Sequence, residues 1–209
     1  MTRFQRNLVQ RNLVRRNLIQ RNLALIVTLA GLLGAGMTAG LGAGTAGGGF
    51  TITSPEFKAG APLPAGAAYN AQGCQGRNES PALAWTAPPV GARALALIVH
   101  DPDAKVPGGW WHWLVVNLPA NGRGLPALAG APKGPALPLG AVQTLTSFGA
   151  PGYGGPCPPV GSGPHHYHFT LYALKALVKP EAKDSPTKVL AQVQALSLAK
   201  TDLIGTFAR

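Results

Sequence analysis

Acidic residues are scarce in this chain: seven Asp and Glu stand against eighteen Lys and Arg, and charged residues make up only 12% of 209 positions. There are two cysteines, and aromatic residues reach 7%. No apolar run approaches the roughly 20 residues that span a bilayer comfortably. HExxH, paired CxxC, GxSxG and Walker patterns are all missing, so zinc hydrolysis, elbow-type acyl transfer and P-loop nucleotide binding are not indicated. No metal and no cofactor is expected. The low charge does not signal disorder, because 46% of the residues are hydrophobic and can supply a core. With 28 Gly and 20 Pro, the composition points to a turn-rich, mainly β protein.

The formal charge of +11 invites a nucleic-acid partner, but its location argues against one. Arg3, Arg6, Arg11, Arg15, Arg16 and Arg21 precede residue 24 with no acid among them. Twelve basic residues remain against seven acidic ones, scattered and without a basic stripe. No nucleic-acid partner is expected.

Residues 6–25 repeat a five-residue unit, RNLVQ and its variants, which matches neither the helical nor the strand period. An apolar run follows at 24–33, then a stretch of Gly, Ala and Thr. Positive charge, a short apolar run and small residues are the order of a secretory signal. Residues 1–46 are therefore expected to be an Arg-rich repeat and signal peptide, cleaved after Ala46, with residues 50–209 as one mature domain. The alternative is an uncleaved inner-membrane anchor, which would be the chain's membrane contact. No Cys precedes Phe50, so no lipid-modified cysteine is expected. Arg15-Arg16 also fits a twin-arginine signal. The expected location is periplasmic or secreted. There, Cys74 and Cys157 are disulfide candidates, the alternative being two buried thiols. Such a bridge would contribute roughly 4–5 kcal/mol on the chain-entropy model.

Along the mature chain, strands are expected at 50–53, around Leu83 and Trp85, and at 94–100, 112–117 and 168–174. One helix follows Ser185 as cap and Pro186 in the first turn, with Val189, Val193 and Leu196 on one face. Three clusters can carry chemistry. His100-Asp101-Pro102-Asp103 ends a strand, where Asp and Pro also simply start turns. In Trp110-Trp111-His112-Trp113, strand alternation would set His112 opposite Trp111 and Trp113. The Gly-rich stretch 149–164 could turn several N–H groups toward an anion as a nest, and His165, His166 and Tyr167 follow it at once.

These clusters resemble a known family. C-x-G-x-N-x-S-P-x-L-x-W runs from Cys74 to Trp85, and DPDA from Asp101 to Ala104. GW-x-HW-x-x-x-N spans Gly109 to Asn117, FG-x-x-GYGGPCPP spans Phe148 to Pro159, and H-x-Y-x-F-T-x-YAL spans His165 to Leu174. In this order they resemble the phosphatidylethanolamine-binding protein family in its bacterial YbhB/YbcL branch, also called Raf kinase inhibitor-like. The resemblance implies a large central antiparallel β-sheet with a smaller sheet and a C-terminal helix. It implies a small pocket for phosphate or a phosphorylated head group, taking Asp101, His112, His165 and Tyr167 with backbone near Gly155 and Pro156. Three departures stand out, the first being that Lys105-Val106-Pro107 follow the DPDA run where Pro is usual directly after the Ala. His166 occupies a place that is usually Arg, and Thr146-Ser147 precede Phe148-Gly149 where Asn-Asp is common.

Three functions follow as expectations. The favoured one is an exported anion-binding module of regulatory or inhibitor type, with no catalytic residue assigned. The second is a hydrolase using His112 or His165 with Asp101. The third is a binder of phospholipid head groups at a membrane surface. A protein partner is not named by the sequence, and a homodimer is left open.

Overall fold

The computed structural model describes residues 49–209 apart from 132–134 and 136. The expected signal segment at 1–46, with its cleavage point, lies outside the described residues. The described residues form eight strands, one α-helix and a short 3-10 turn at Ala65–Ala67: β1 (Ile52–Thr53), β2 (Leu83–Trp85), β3 (Ala94–Asp101), β4 (Trp110–Pro119), β5 (Gly124–Leu125), β6 (Val142–Gln143), β7 (His165–Leu174), α1 (Pro186–Leu196) and β8 (Ser197–Phe207). A five-stranded sheet has the order β6-β4-β3-β7-β8, and a three-stranded sheet has β1-β2-β5. All their pairings are antiparallel. This is the large-sheet, small-sheet architecture expected from the sequence.

β3 is the centre of the large sheet, and its run ALALIVHD is buried on both faces. Leu95, Leu97 and Val99 face one way, onto Ile52, Phe57, Trp85 and Leu125 of the small-sheet side. Ala94, Ala96 and Ile98 face the other way, onto Val189 and Val193 of α1. The small side chains on the second face leave room for a helix to lie close. Ser185 starts that helix by accepting a hydrogen bond from the Lys188 N–H through its hydroxyl, which satisfies one of the orphan donors of the first turn.

α1 is not the end of the structure. It leads directly into β8, which pairs with the whole of β7 from His165–Phe207 to Leu174–Ser197. This strand is not among those expected from the sequence. β8 is an edge strand whose outer face carries exposed Leu198, Lys200 and Asp202, and only Leu203 and Gly205 along it are buried. Its hydrophobic signal is therefore weak, and its extended form comes from pairing with β7, a tertiary cause.

The expected alternation in the tryptophan-rich strand also fails, for a definable reason. Val99 pairs with Trp113 and His100 with Trp111, so His112 is an extra residue on β4. This β-bulge puts Trp113 on the face with Leu97 and Val99, and Trp111 on the face with Ile98. Bulges re-aim side chains in this way at sheet ends. His112 is turned toward Tyr167 and Phe148, with ring centroids 5.1 Å and 5.6 Å away.

Candidate functional site

Antiparallel pairing brings the end of β3, the start of β4 and the start of β7 to one end of the large sheet. Asp101 pairs with Trp110 there, and His165 begins β7. A cavity of about 420 Å³ opens at this end. Asp101, His112, Gly155, His165 and Tyr167 all line it. Pro156 does not; its carbonyl accepts the Tyr69 N–H instead.

Asp101 is 3% exposed, yet its carboxylate is fully occupied. Oδ1 accepts the backbone N–H groups of Asp103 (2.8 Å) and Ala104 (3.2 Å). Oδ2 lies 2.7 Å from Nδ1 of His165. A carboxylate only accepts, so Nδ1 carries the hydrogen and the tautomer of His165 is set. On its other side, Nε2 of His165 is 3.2 Å from the Ser162 hydroxyl, which also lies 2.8 Å from the Pro159 carbonyl.

His112 is held in the same manner by a different acceptor. Its Nδ1 sits 2.6 Å from the carbonyl oxygen of Gly154. Burial pushes this imidazole down to about 4, against the opposing pull of the Gly154 carbonyl and Asp101. Its Nε2 is buried with no hydrogen-bond partner. Burial also pushes the Tyr167 phenol far up, with Asp101 adding to the effect, so it stays a neutral O–H donor.

At residues 153–155 the Gly-rich stretch does not form the expected nest. The N–H groups of Tyr153, Gly154 and Gly155 are committed to the Gly130 carbonyl, the His112 carbonyl and Asn78 Oδ1. Asn78 clamps the loop from both sides, since its Nδ2 also donates to the Tyr153 carbonyl. Glycine is required at 155 because a Cβ there would run into the Ala67 carbonyl. The loop is thus a tightly packed wall at 153–155, where no backbone N–H is free for a ligand.

Cys74 and Cys157 form a disulfide with Cα atoms 5.9 Å apart. Cys157 lines the cavity, and the bridge ties the wall to the loop that carries Gln72. Gln72, Lys105, Trp110 and Ser162 also line the cavity and were not singled out as site residues from the sequence. Lys105 directly follows the DPDA run and Ser162 stands three residues before His165, which were usable signals; Gln72 had none.

Two of the departures, at His166 and at Thr146-Ser147, have structural readings. His166 points away from the cavity lining and pairs with Asp103 on the surface, Nδ1 to Oδ2 2.7 Å. Thr146 accepts the Phe148 N–H and donates to the Ala150 carbonyl. The Ser147 hydroxyl accepts the Trp111 N–H. Two hydroxyls thus anchor the loop where a carboxylate is common. Among the described residues, no group of three or more His, Cys, Asp or Glu is placed to hold a metal ion, and no helix is long and apolar enough to cross a membrane.

Residues 53–208 match the family model described as phosphatidylethanolamine-binding protein. The chain belongs to the phosphatidylethanolamine-binding protein family. Within it, the chain is 48% identical to the UPF0098 protein YbcL of Escherichia coli (strain K12) over 126 residues, 60% of this chain and 69% of that one. The crystal structure of E. coli YbcL, described as a new member of the mammalian PEBP family, superposes with a TM-score of 0.73 at 41% identity. That match covers 77% of this chain and 98% of the other. A Mycobacterium tuberculosis (strain ATCC 25618 / H37Rv) relative that carries the name lipoprotein LppC is 42% identical over 158 residues, 75% of this chain and 71% of that one.

Proposed function

We propose that this member of the phosphatidylethanolamine-binding protein family is an exported module that binds a small oxyanion, a phosphoryl group foremost, in the cavity at the end of its large sheet. The observation that carries the reading is convergence. Asp101, His112, His165 and Tyr167 come from three strands to one cavity, and a buried ring nitrogen there has no protein partner. A polar atom left buried and unpaired costs roughly 1–3 kcal/mol, and a bound ligand would relieve that cost. Tyr167 and Lys105 add donors suited to an oxyanion. Export is supported by the Cys74–Cys157 disulfide, by the signal-like order of residues 1–46, and by the lipoprotein name of one relative. The test is a titration of the purified protein with phosphate and phosphoethanolamine, read by NMR of the histidine rings. Saturable shifts in wild type, lost in His112→Ala and in His165→Ala, are expected. A folded wild type with no shifts overturns the reading.

A second reading, as a hydrolase, is favoured by one specific chain of contacts: Ser162 Oγ to His165 Nε2, then His165 Nδ1 to Asp101 Oδ2. That is the connectivity of an acyl-transfer triad. Two facts oppose it. The shorter contact of the Ser162 hydroxyl is to the Pro159 carbonyl, and the nearby Gly-rich loop offers no pair of uncommitted N–H groups at 153–155 to serve as an oxyanion hole. Labelling by a fluorophosphonate probe that disappears in Ser162→Ala would establish the hydrolase. Inertness toward the probe and an ester panel, with anion binding intact, would remove it.

A further inference from the structure

The hydrogen bond from His112 to Gly154 decides more than orientation. A carbonyl oxygen has no hydrogen to give, so Nδ1 of His112 must donate across its 2.6 Å contact. The neutral ring then presents a bare lone pair at Nε2. That atom is buried and without a partner, in a residue lining the cavity. It is an acceptor, and an unprotonated oxyanion oxygen placed against it would set lone pair against lone pair. A ligand O–H would match it.

We infer that the cavity selects oxyacids that still carry a proton, namely phosphomonoesters in their monoanionic state, over phosphodiesters. The inference rests on the oxyanion reading above and names the ligand class within it. A monoester holds one ionisable hydrogen near neutral pH, its second ionisation falling at about 6. A diester has none to offer there. The alternative for a diester is to draw a proton from water onto Nε2. The surroundings of His112 oppose this: the site is buried, and His100 on β3 disfavours a second charge. Asp101 on β3 favours the charge, but its oxygens are already engaged by Asp103, Ala104 and His165. From β7, Tyr167 stays neutral, and His165 and the cavity-lining Lys105 add no negative charge.

The proton count makes the inference measurable. A bound complex holds one proton more than the dianion plus a neutral His112, whether the hydrogen rests on the ligand oxygen or on Nε2. Affinity for a monoester should therefore fall about tenfold per pH unit above its second ionisation and level off below it. The phosphatidylethanolamine head group is a diester, so it belongs to the disfavoured class.

The experiment compares phosphoethanolamine with glycerophosphoethanolamine, a monoester and a diester with the same ammonium group, by calorimetry between pH 5.5 and 8.5 in buffers of different ionisation enthalpy. Wild type is expected to prefer the monoester at pH 6 by at least about tenfold, and to take up close to one proton per complex at pH 8. His112→Gln places an N–H donor near the same point. It should flatten the pH dependence and shift the preference toward the diester. Equal, pH-independent binding of both ligands by folded wild type would overturn the proton selection and leave oxyanion binding standing. Binding of neither at any pH would overturn both.

Discussion

Two aspartate–histidine pairs stand side by side in this protein, and they differ in almost everything except distance. Asp101–His165 and Asp103–His166 each place a carboxylate oxygen 2.7 Å from Nδ1. The side chains of the first pair are 4% and 6% exposed, while those of the second are 42% and 52% exposed. They alternate along the same strand start, so β7 pleating alone sends one histidine into the cavity and the next to solvent. In the buried pair, every oxygen of the carboxylate has a protein donor and breaking the set leaves groups stranded. In the exposed pair, water replaces whatever is removed. Equal hydrogen-bond lengths thus say little about equal worth; access of solvent decides it.

The largest expected effect concerns the wall around the buried pair. Cys157 lines the same cavity and is bonded to Cys74, 83 residues away. Replacing both cysteines with Ser should cost up to roughly 4–5 kcal/mol in urea unfolding, by freeing the unfolded chain. A loss below about 1 kcal/mol would show that the bridge contributes little to stability. Next comes the buried pair itself. Asp101→Ala strands the N–H groups of Asp103 and Ala104 and the Nδ1–H of His165, and should cost about 3–5 kcal/mol. Asp101→Asn keeps a carbonyl for the backbone donors and should cost less. If Ala and Asn variants unfold alike, the backbone contacts of Asp101 are not what holds it.

His112 sharpens the contrast from another side, because it is buried without any carboxylate of its own. Its folded value of about 4 lies below the ordinary histidine value of 6.5. Between these, the unfolded chain binds more protons than the folded one, so stability rises with pH. The contribution is fully present above about 6.5 and is lost as pH falls toward 4, amounting to about 3 kcal/mol across that window. His100, also lowered by burial, adds a change of the same sign. Unfolding midpoints measured from pH 7 to pH 4 should fall steeply in wild type and less steeply in His112→Gln. Parallel slopes would exclude His112 as the titrating group.

Much of this was legible in the residues themselves. The long strands β3, β4 and β7 announce themselves through unbroken branched and aromatic runs, and α1 through Ser185, Pro186 and the spacing of Val189 and Val193. Asp101, His112, His165 and Tyr167 were marked by motif order, and three strand ends deliver them to one cavity. What stayed hidden depended on pairing partners. β8 is extended because β7 lies beside it. The bulge at His112 is a matter of register between two strands, and no single-strand pattern encodes register. The apparent anion nest failed at 153–155 because three groups distant in sequence, the Gly130 and His112 carbonyls and Asn78 Oδ1, claim the loop's N–H groups. Lys105 and Ser162 were near enough in sequence to be found, whereas Gln72 is brought in by the disulfide.

The smallest effect belongs to the exposed pair, and it is the one that tests the comparison most directly. Asp103→Ala removes the acceptor of both the His166 ring and the His166 backbone N–H. Water can reach both groups, so the cost should stay under about 1 kcal/mol and shrink further with added salt. Phosphate binding should be unchanged, because neither Asp103 nor His166 lines the cavity. His166→Arg, which restores the residue usual at this place, should alter stability by no more than about 0.5 kcal/mol, since a guanidinium can still reach Asp103. A cost for Asp103→Ala comparable to that of Asp101→Ala would mean that the outer pair braces the cavity mouth. The line drawn here between buried and exposed pairs would then have to move outward to include Asp103.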